Sequence, residues 1–247
     1  VNVTCYTDAV IRAHLDEARA HHVATDVSAV IAAKQEAPTI GDVVRRAQRY
    51  ASTVLCVVGH STDGTAEVAA NSGATVLVDG GKGKGEALRR AIPYIRTPIT
   101  VFLDADGSHD PEDIPLLVEP ILEGRADHVS ASRLRGGSSE LHGGFDEFFR
   151  LAGSSFITAC VNWRFGCRLS DSQNGFRAIR TSVLSQLDLR EDLTTIEQEM
   201  IIKTLRRGFR MAEIPSHEHR RTHGASHIRV WRCAPRYGWS LVRYLFF

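Results

Sequence analysis

Ile99-Thr-Val-Phe-Leu-Asp104-Ala-Asp106-Gly107 is an apolar run that ends in two carboxylates. The run reads as a buried strand. Residues two apart on a strand point the same way, so Asp104 and Asp106 leave its carboxyl end together. Two acids placed so repel each other unless a cation sits between them. A hard divalent ion, Mg²⁺ or Mn²⁺, shared between carboxylates and diphosphate oxygens meets that need. Acidic turns after strands are common, and a calcium loop also begins Asp-x-Asp. A calcium loop, however, needs Gly where His109 stands and Glu where Pro115 stands, so that alternative fails.

Working outward, Val27–Ala33, Thr53–Val58 and Ala74–Val78 are further short apolar runs. They alternate with helical patterns over Thr39–Tyr50, Asp63–Asn71 and Gly85–Ile95. This order predicts an α/β fold with a mostly parallel sheet, right-handed crossovers and ligands at the carboxyl ends of the strands. Downstream, Asp113–Leu122 reads as a helix and Asp127–Ser132 as a strand. Phe145–Phe165 reads as a long helix or helix pair. Thr195–Arg207 follows as a helix and Arg210–Ile214 as a strand. Ala178–Ile179 is too short to stand as a strand alone. Residues 1–26 read as a helical N-terminal extension, with Asp8 capping a helix through Val10, Ile11, Leu15 and Ala18, and 27–247 as the main domain.

The 247 residues suffice for one large domain with a substantial core. Thirty basic and 29 acidic side chains leave a formal charge of +1, so no global field draws the chain to nucleic acid. The five cysteines, Cys5, Cys56, Cys160, Cys167 and Cys233, have neither zinc-knuckle spacing nor an even number. That fits a reducing, cytoplasmic setting, with Cys56 a small core residue. No signal peptide is evident, and no apolar run reaches the ~18 residues that span a bilayer. The aromatic tail Arg236–Phe247 is read either as a membrane-surface contact or as a last helix packed on the core.

Five other segments carry candidate chemistry. In Gly80-Gly-Lys82-Gly-Lys84-Gly85, glycines would let the backbone approach an anion and Lys82 and Lys84 would add charge. A plain surface turn is the alternative, and P-loop spacing is absent. Ser61 or Thr62 is expected to cap the helix that follows. Arg133, in Ser132-Arg-Leu-Arg-Gly-Gly137, and Arg150 suit phosphate forks. Asp171-Ser-Gln173-Asn-Gly175-Phe-Arg177 is a polar turn, and Glu197-Gln-Glu199 opens a helix where the dipole favours acids. The histidines at 217, 219, 223 and 227 match no zinc spacing.

In this order the motifs resemble family 2 glycosyltransferases of the GT-A fold, and within them the polyprenyl-phosphate hexosyltransferase-like group. The resemblance runs from about Val27 to Arg243. It rests on Val30–Glu36, His60–Thr65, Gly83-Lys84-Gly85, Asp104–Glu112, Ser132-Arg133 with Gly136-Gly137, Asp171–Arg177, and Arg221 with Gly224 and Ser226. It implies a Rossmann-like sheet flanked by helices and a metal held by Asp104 and Asp106. Ala33, Glu36, His60, Lys84, Asp104 and Ala105 would contact a nucleotide-diphosphate sugar. Arg133, Arg150, Gln173, Arg177, Arg221 and Ser226 would contact phosphate or acceptor. The pattern is broken in three motifs: Ala32, Lys34 and Gln35 stand in the place of Pro-x-x-Asn before Glu36, Val58 replaces an acid, and His227 replaces Lys.

The expected reaction is metal-dependent transfer of a hexose with inversion, to a polyprenyl phosphate. Asp171 is the candidate base should the acceptor be a hydroxyl. Alternatives are the same chemistry on a soluble small acceptor, a sugar-phosphate nucleotidyltransferase, and a non-catalytic sugar-nucleotide binder. Nucleotidyltransferases place the Gly-rich loop after the first strand, and the intact acid pair argues against a binder.

Overall fold

The computed structural model describes residues 3–5, 24–139, 145–221 and 230–247. Along the chain lie β1 (Val3–Cys5), β2 (Val27–Ala33), α1 (Ala37–Ala47), β3 (Thr53–Val58), α2 (Thr65–Asn71), β4 (Thr75–Val78) and α3 (Lys84–Ala91). They are followed by β5 (Ile99–Asp104), α4 (Ile114–Leu122), β6 (His128–Ser132), the short α5 (Arg133–Gly136) and α6 (Phe145–Phe165). The chain closes with β7 (Arg177–Arg180), α7 (Thr181–Gln186), α8 (Ile196–Arg206), β8 (Met211–Pro215) and α9 (Val230–Phe246).

The strands form one eight-stranded sheet in the order β1-β8-β6-β7-β5-β2-β3-β4. All pairings are parallel except those of β7, which runs against both β5 and β6. Every residue of β2 except Ala32 is buried, as a central strand covered on both faces requires. Successive side chains alternate between the faces. Ala29, Ile31, Val101 and Leu103 meet α1 and α4 through Ile40, Val44, Leu117 and Ile121. Val30, Leu55, Val57 and Phe102 meet α3, α7 and α8 through Leu88, Leu184, Ile196 and Met200. A third layer packs α6 and α9 on the outside of α8, through Ile157, Val161, Leu241, Tyr244 and Leu245 against Ile201, Ile202 and Leu205. Cys56 is buried in β3, and burial pushes its thiol up to about 12, as suits an inert core residue.

Two features differ from the expectation. Arg177–Arg180 is a central strand, β7, although only Ala178 and Ile179 are apolar. Val3–Cys5 pairs with Met211–Glu213 at the sheet edge, so these three residues belong to the sheet. The helix expected from Asp8 lies outside the described residues.

The Gly-rich segment also has a packing role. Gly85 lies directly under the backbone of residues 191–193: a β-carbon there would sit 2.3 Å from the Glu191 carbonyl oxygen and 2.7 Å from that of Leu193. Glu86 donates its amide to the Asp192 carbonyl at 3.1 Å. The start of α3 is therefore engaged by the protein's own chain. Gly85→Ala is expected to lower unfolding free energy by about 1–3 kcal/mol through overpacking. Gly153→Ala, on α6 with nothing near its would-be side chain, should be neutral or stabilising by up to ~1 kcal/mol. Urea denaturation of the two variants measures the difference.

Candidate active site

The carboxyl ends of the central strands finish level, because Ala32 pairs with Asp104 and Ala33 with Val58. Asp104 is the last residue of β5, and the turn after it is tightly fixed. The Asp104 amide donates to His109 Nδ1 at 3.1 Å, which makes that nitrogen the acceptor. The buried His109 ring stacks on Phe176 at 5.1 Å and 16°. Burial lowers its pKa, against the pull of Asp104. Asp106 Oδ1 accepts from the Ser108 amide at 3.0 Å and hydroxyl at 2.6 Å, while its Oδ2 lies 3.1 Å from Arg221 Nε.

Lys84 reaches this tip from the start of α3. Its Nζ lies 2.5 Å from Asp104 Oδ1 and 2.8 Å from Glu197 Oε1. Burial works against the charged forms of both Lys84 and Asp104. Their attraction overrides it: the Asp104 carboxyl is held well below its usual range, with His109 and Arg221 assisting, and the Lys84 ammonium well above. Glu36 faces the same centre. Burial raises its pKa, and Asp106 and Asp104 push the same way, against the Thr39 hydrogen bond and Arg221.

The Asp104 side chain keeps 27% of its surface open. Gly175 leaves room beside it: a β-carbon there would stand 2.7 Å from Lys84 Nζ and 3.1 Å from Asp104 Oδ2. The open side of Asp104, with Asp106 buried beside it between Ser108 and Arg221, suits a hard divalent cation that takes its other oxygens from a phosphate ligand. Among the described residues no group of three or more His, Cys, Asp or Glu is arranged as a metal site.

The other expected donor contacts cluster nearby. Ala33 and Ala105 are buried, and the Ala33 carbonyl accepts the Gly59 amide at 2.9 Å. His60 is exposed with φ +45°, its ring close over Gly81. The helix cap differs from the expectation. Asp63, rather than Ser61 or Thr62, accepts from the first amides of two helices, Ala37 of α1 at 3.0 Å and Thr65 of α2 at 3.1 Å. Ser61 instead accepts the Gln35 amide, and the Gln35 side chain accepts the Thr62 amide at 2.6 Å. Gln35 thus clasps the two loops together.

Beside the acid pair, α6 and α9 border a cavity of about 350 Å³. Arg133, Arg150, Asp171 and Gln173 supply polar lining, and Phe149, Phe156, Ile157 and Leu241 an apolar wall. Arg133 forks onto Asp171, Nε to Oδ2 at 2.7 Å and Nη2 to Oδ1 at 3.0 Å, and also reaches Glu218 at 3.4 Å. Burial would raise the Asp171 carboxyl, but Arg133 and backbone amides hold it below its usual range. A buried, ion-paired carboxylate is a poor proton acceptor, which weighs against Asp171 as a base. Arg177 stands apart from the other expected phosphate contacts. It is fully buried and donates to the carbonyls of Glu197, at 3.0 Å, and Asn174, so it braces the site from beneath. Ser226 lies outside the described residues.

Glu213 and Glu218 were missed in the sequence. Glu213 is buried in β8 and accepts the Ser170 and Asp171 amides at 3.0 and 2.9 Å, fixing the segment that lines the cavity. An acid inside an apolar strand run was the available signal.

With this geometry in view, the comparisons are specific. Residues 28–187 match the model of glycosyl transferase family 2, and the chain belongs to that family. Glycosyltransferase AglJ of Haloferax volcanii is 32% identical over 193 residues, 77% of this chain and 62% of that protein. A hexosyltransferase of low-salt glycan biosynthesis, Agl6, from the same organism is 29% identical, with 45% of its length covered. A dolichyl-phosphate hexose transferase, also from Haloferax volcanii, is 28% identical over 77% of this chain and 81% of its own. The chain thus spans under two thirds of the first two relatives. Glucosyl-3-phosphoglycerate synthase from Mycobacterium tuberculosis, solved with Mg²⁺ and uridine diphosphate, superposes with a TM-score of 0.76 at 21% identity, over 98% of this chain and 86% of that one. The GT-A fold follows from that likeness.

Asp171→Asn is expected to cost about 2–4 kcal/mol, since it leaves the buried Arg133 charge with Glu218 as its remaining carboxylate. Because the Asp171 pKa is depressed in the folded state, the pair's contribution is complete above the unfolded value near ~4 and is lost as pH falls through the folded one. The stability gap between wild type and variant should therefore be full at neutral pH and shrink in acid. Denaturant titrations across pH read it directly.

Proposed function

We propose that this chain transfers a hexose from a nucleoside-diphosphate sugar to the phosphate of a polyprenyl lipid, with inversion and with the help of a divalent metal. One observation carries the reading. A single segment joins the acid pair to an amphiphilic cavity: Asp171 and Gln173 line the cavity, and Gly175 abuts Asp104 and Lys84. Two residues of chain span at most about 7 Å.

Asp104 and Asp106 would hold the metal, which when bound neutralises charge on the departing diphosphate. Lys84 and Arg221, already beside the two carboxylates, add cationic charge at the same place. Glu197 orients the Lys84 ammonium. An acceptor phosphate oxygen attacks the anomeric carbon as the bond from that carbon to the diphosphate oxygen breaks. A phosphate is already anionic and needs no base, which agrees with Asp171 being tied to Arg133. Arg150 and Arg133 suit the acceptor phosphate. The apolar cavity wall supports a lipid acceptor over a soluble phosphorylated acid.

Asp106→Ala is expected to reduce metal-dependent transfer by about two orders of magnitude or more while the fold is retained. Arg150→Ala should raise the KM for a short-chain polyprenyl phosphate with little change in donor affinity. A radiolabelled sugar-transfer assay in detergent, run beside a soluble phosphorylated acid, checks both. Wild-type transfer only to the soluble acid overturns the lipid assignment, and undiminished transfer by Asp106→Ala overturns the metal site.

A further inference from the structure

Seven of the eleven large apolar side chains exposed among the described residues lie on α6, α9 and the residue after it. On α6 an aromatic recurs every seven residues, Phe149, Phe156 and Trp163, and the last two are 66% and 76% exposed. Seven residues are nearly two turns, so the three share one side. On α9, Trp239, Val242 and Phe246 recur at spacings of three and four, with Trp239 69% exposed, and Phe247 follows. Both helices turn their buried faces to α8. They also touch each other, with Arg164 Nε donating to the Leu245 carbonyl at 3.2 Å. The two aromatic stripes therefore face outward on the same side of the molecule.

These helices carry an excess of positive charge. Over their whole length α6 and α9 contain five arginines, at 150, 164, 232, 236 and 243, against two acids, Asp146 and Glu147, both in the first turn of α6. The whole chain balances 30 basic against 29 acidic residues, so the excess on these two helices is local. Arg236 lies 3.8 Å from Glu191, which belongs to another segment. A second copy docking by two-fold symmetry would set arginine against arginine, which is unfavourable. Exposed aromatic side chains on helices with an excess of arginine are what an anionic lipid–water interface accommodates. No helix among the described residues is long and apolar enough to cross a membrane, so the match is to a surface-lying arrangement.

We infer that the outer faces of α6 and α9 form one plate that seats this domain on an anionic bilayer. The cavity opens within that plate, since Phe149 and Phe156 both line it and stand exposed. Where the proposed polyprenyl acceptor is correct, the plate brings the lipid-borne phosphate to Arg133 and Arg150 without extracting the chain into water. The docking itself requires only the plate.

The experiment is vesicle flotation with the intact chain. Vesicles of phosphatidylcholine are compared with vesicles that also contain phosphatidylglycerol. Binding is expected to the anionic vesicles only, to weaken with added salt, and to shift tryptophan emission to the blue. The variant carrying Trp163→Gln and Trp239→Gln, two exposed positions outside the cavity, should bind about tenfold or more weakly. Its transfer in detergent should be unchanged. Three results overturn the proposal: no flotation with anionic vesicles, equal flotation of the double variant, or loss of self-association as that variant's chief effect. Transfer in detergent tests the acceptor reading without a bilayer, so the two can fail separately.

Discussion

Two carboxylates crowded at one strand tip must be balanced by positive charge, and much of the surrounding architecture follows from that demand. Lys84 answers Asp104 and Arg221 answers Asp106. Lys84 is aimed by the packing of Gly83 and Gly85 against residues 191–193 and steadied by Glu197 in the first turn of α8. Arg177 then ties the Glu197 carbonyl to that of Asn174, so the loop carrying Gly175 and the helix carrying Glu197 are fixed to one another. The site is thus a preorganised charge cluster rather than a set of separate side chains.

The same logic recurs a few residues away. Arg133 is buried by geometry, and only the two-point fork from Asp171, with Glu218 behind it, makes that burial tolerable. Glu213 holds the backbone that carries Asp171. Arg133 is therefore placed by groups distant in sequence, and the cavity's polar and apolar linings are separate contributions to one surface.

How much of this could be read in the sequence follows from how each part is built. β2, β3 and β5 were legible because strands covered on both faces are continuous apolar runs, and Asp104 and Asp106 stood at the end of one. β7 was not, because its first and last residues are arginines and its burial comes from neighbours on both sides. The glycines at 83 and 85 were read as letting the backbone approach an anion or as a plain surface turn, whereas what lies against them is the protein's own chain at residues 191–193. Asp63 was hidden by its own neighbours, since Ser61 and Thr62 looked equally able to cap. The cavity could not be anticipated: Arg133, Gln173 and Leu241 meet only in three dimensions.

The reversed course of β7 reaches further than its own pairing. In a parallel sheet the residues after a strand face the ligand, whereas here those before β7 do so, and its exit at Arg180–Thr181 hydrogen-bonds to Asp127 and Pro98 on the far rim. The two rims of the sheet are therefore unequal as sites for engineering. Exposed turns on the far rim, such as Leu122–Arg125 and Arg206–Gly208, are natural places to graft a tag or reporter. Reprogramming of what the protein accepts belongs instead to the few residues that lead into its one contrary strand.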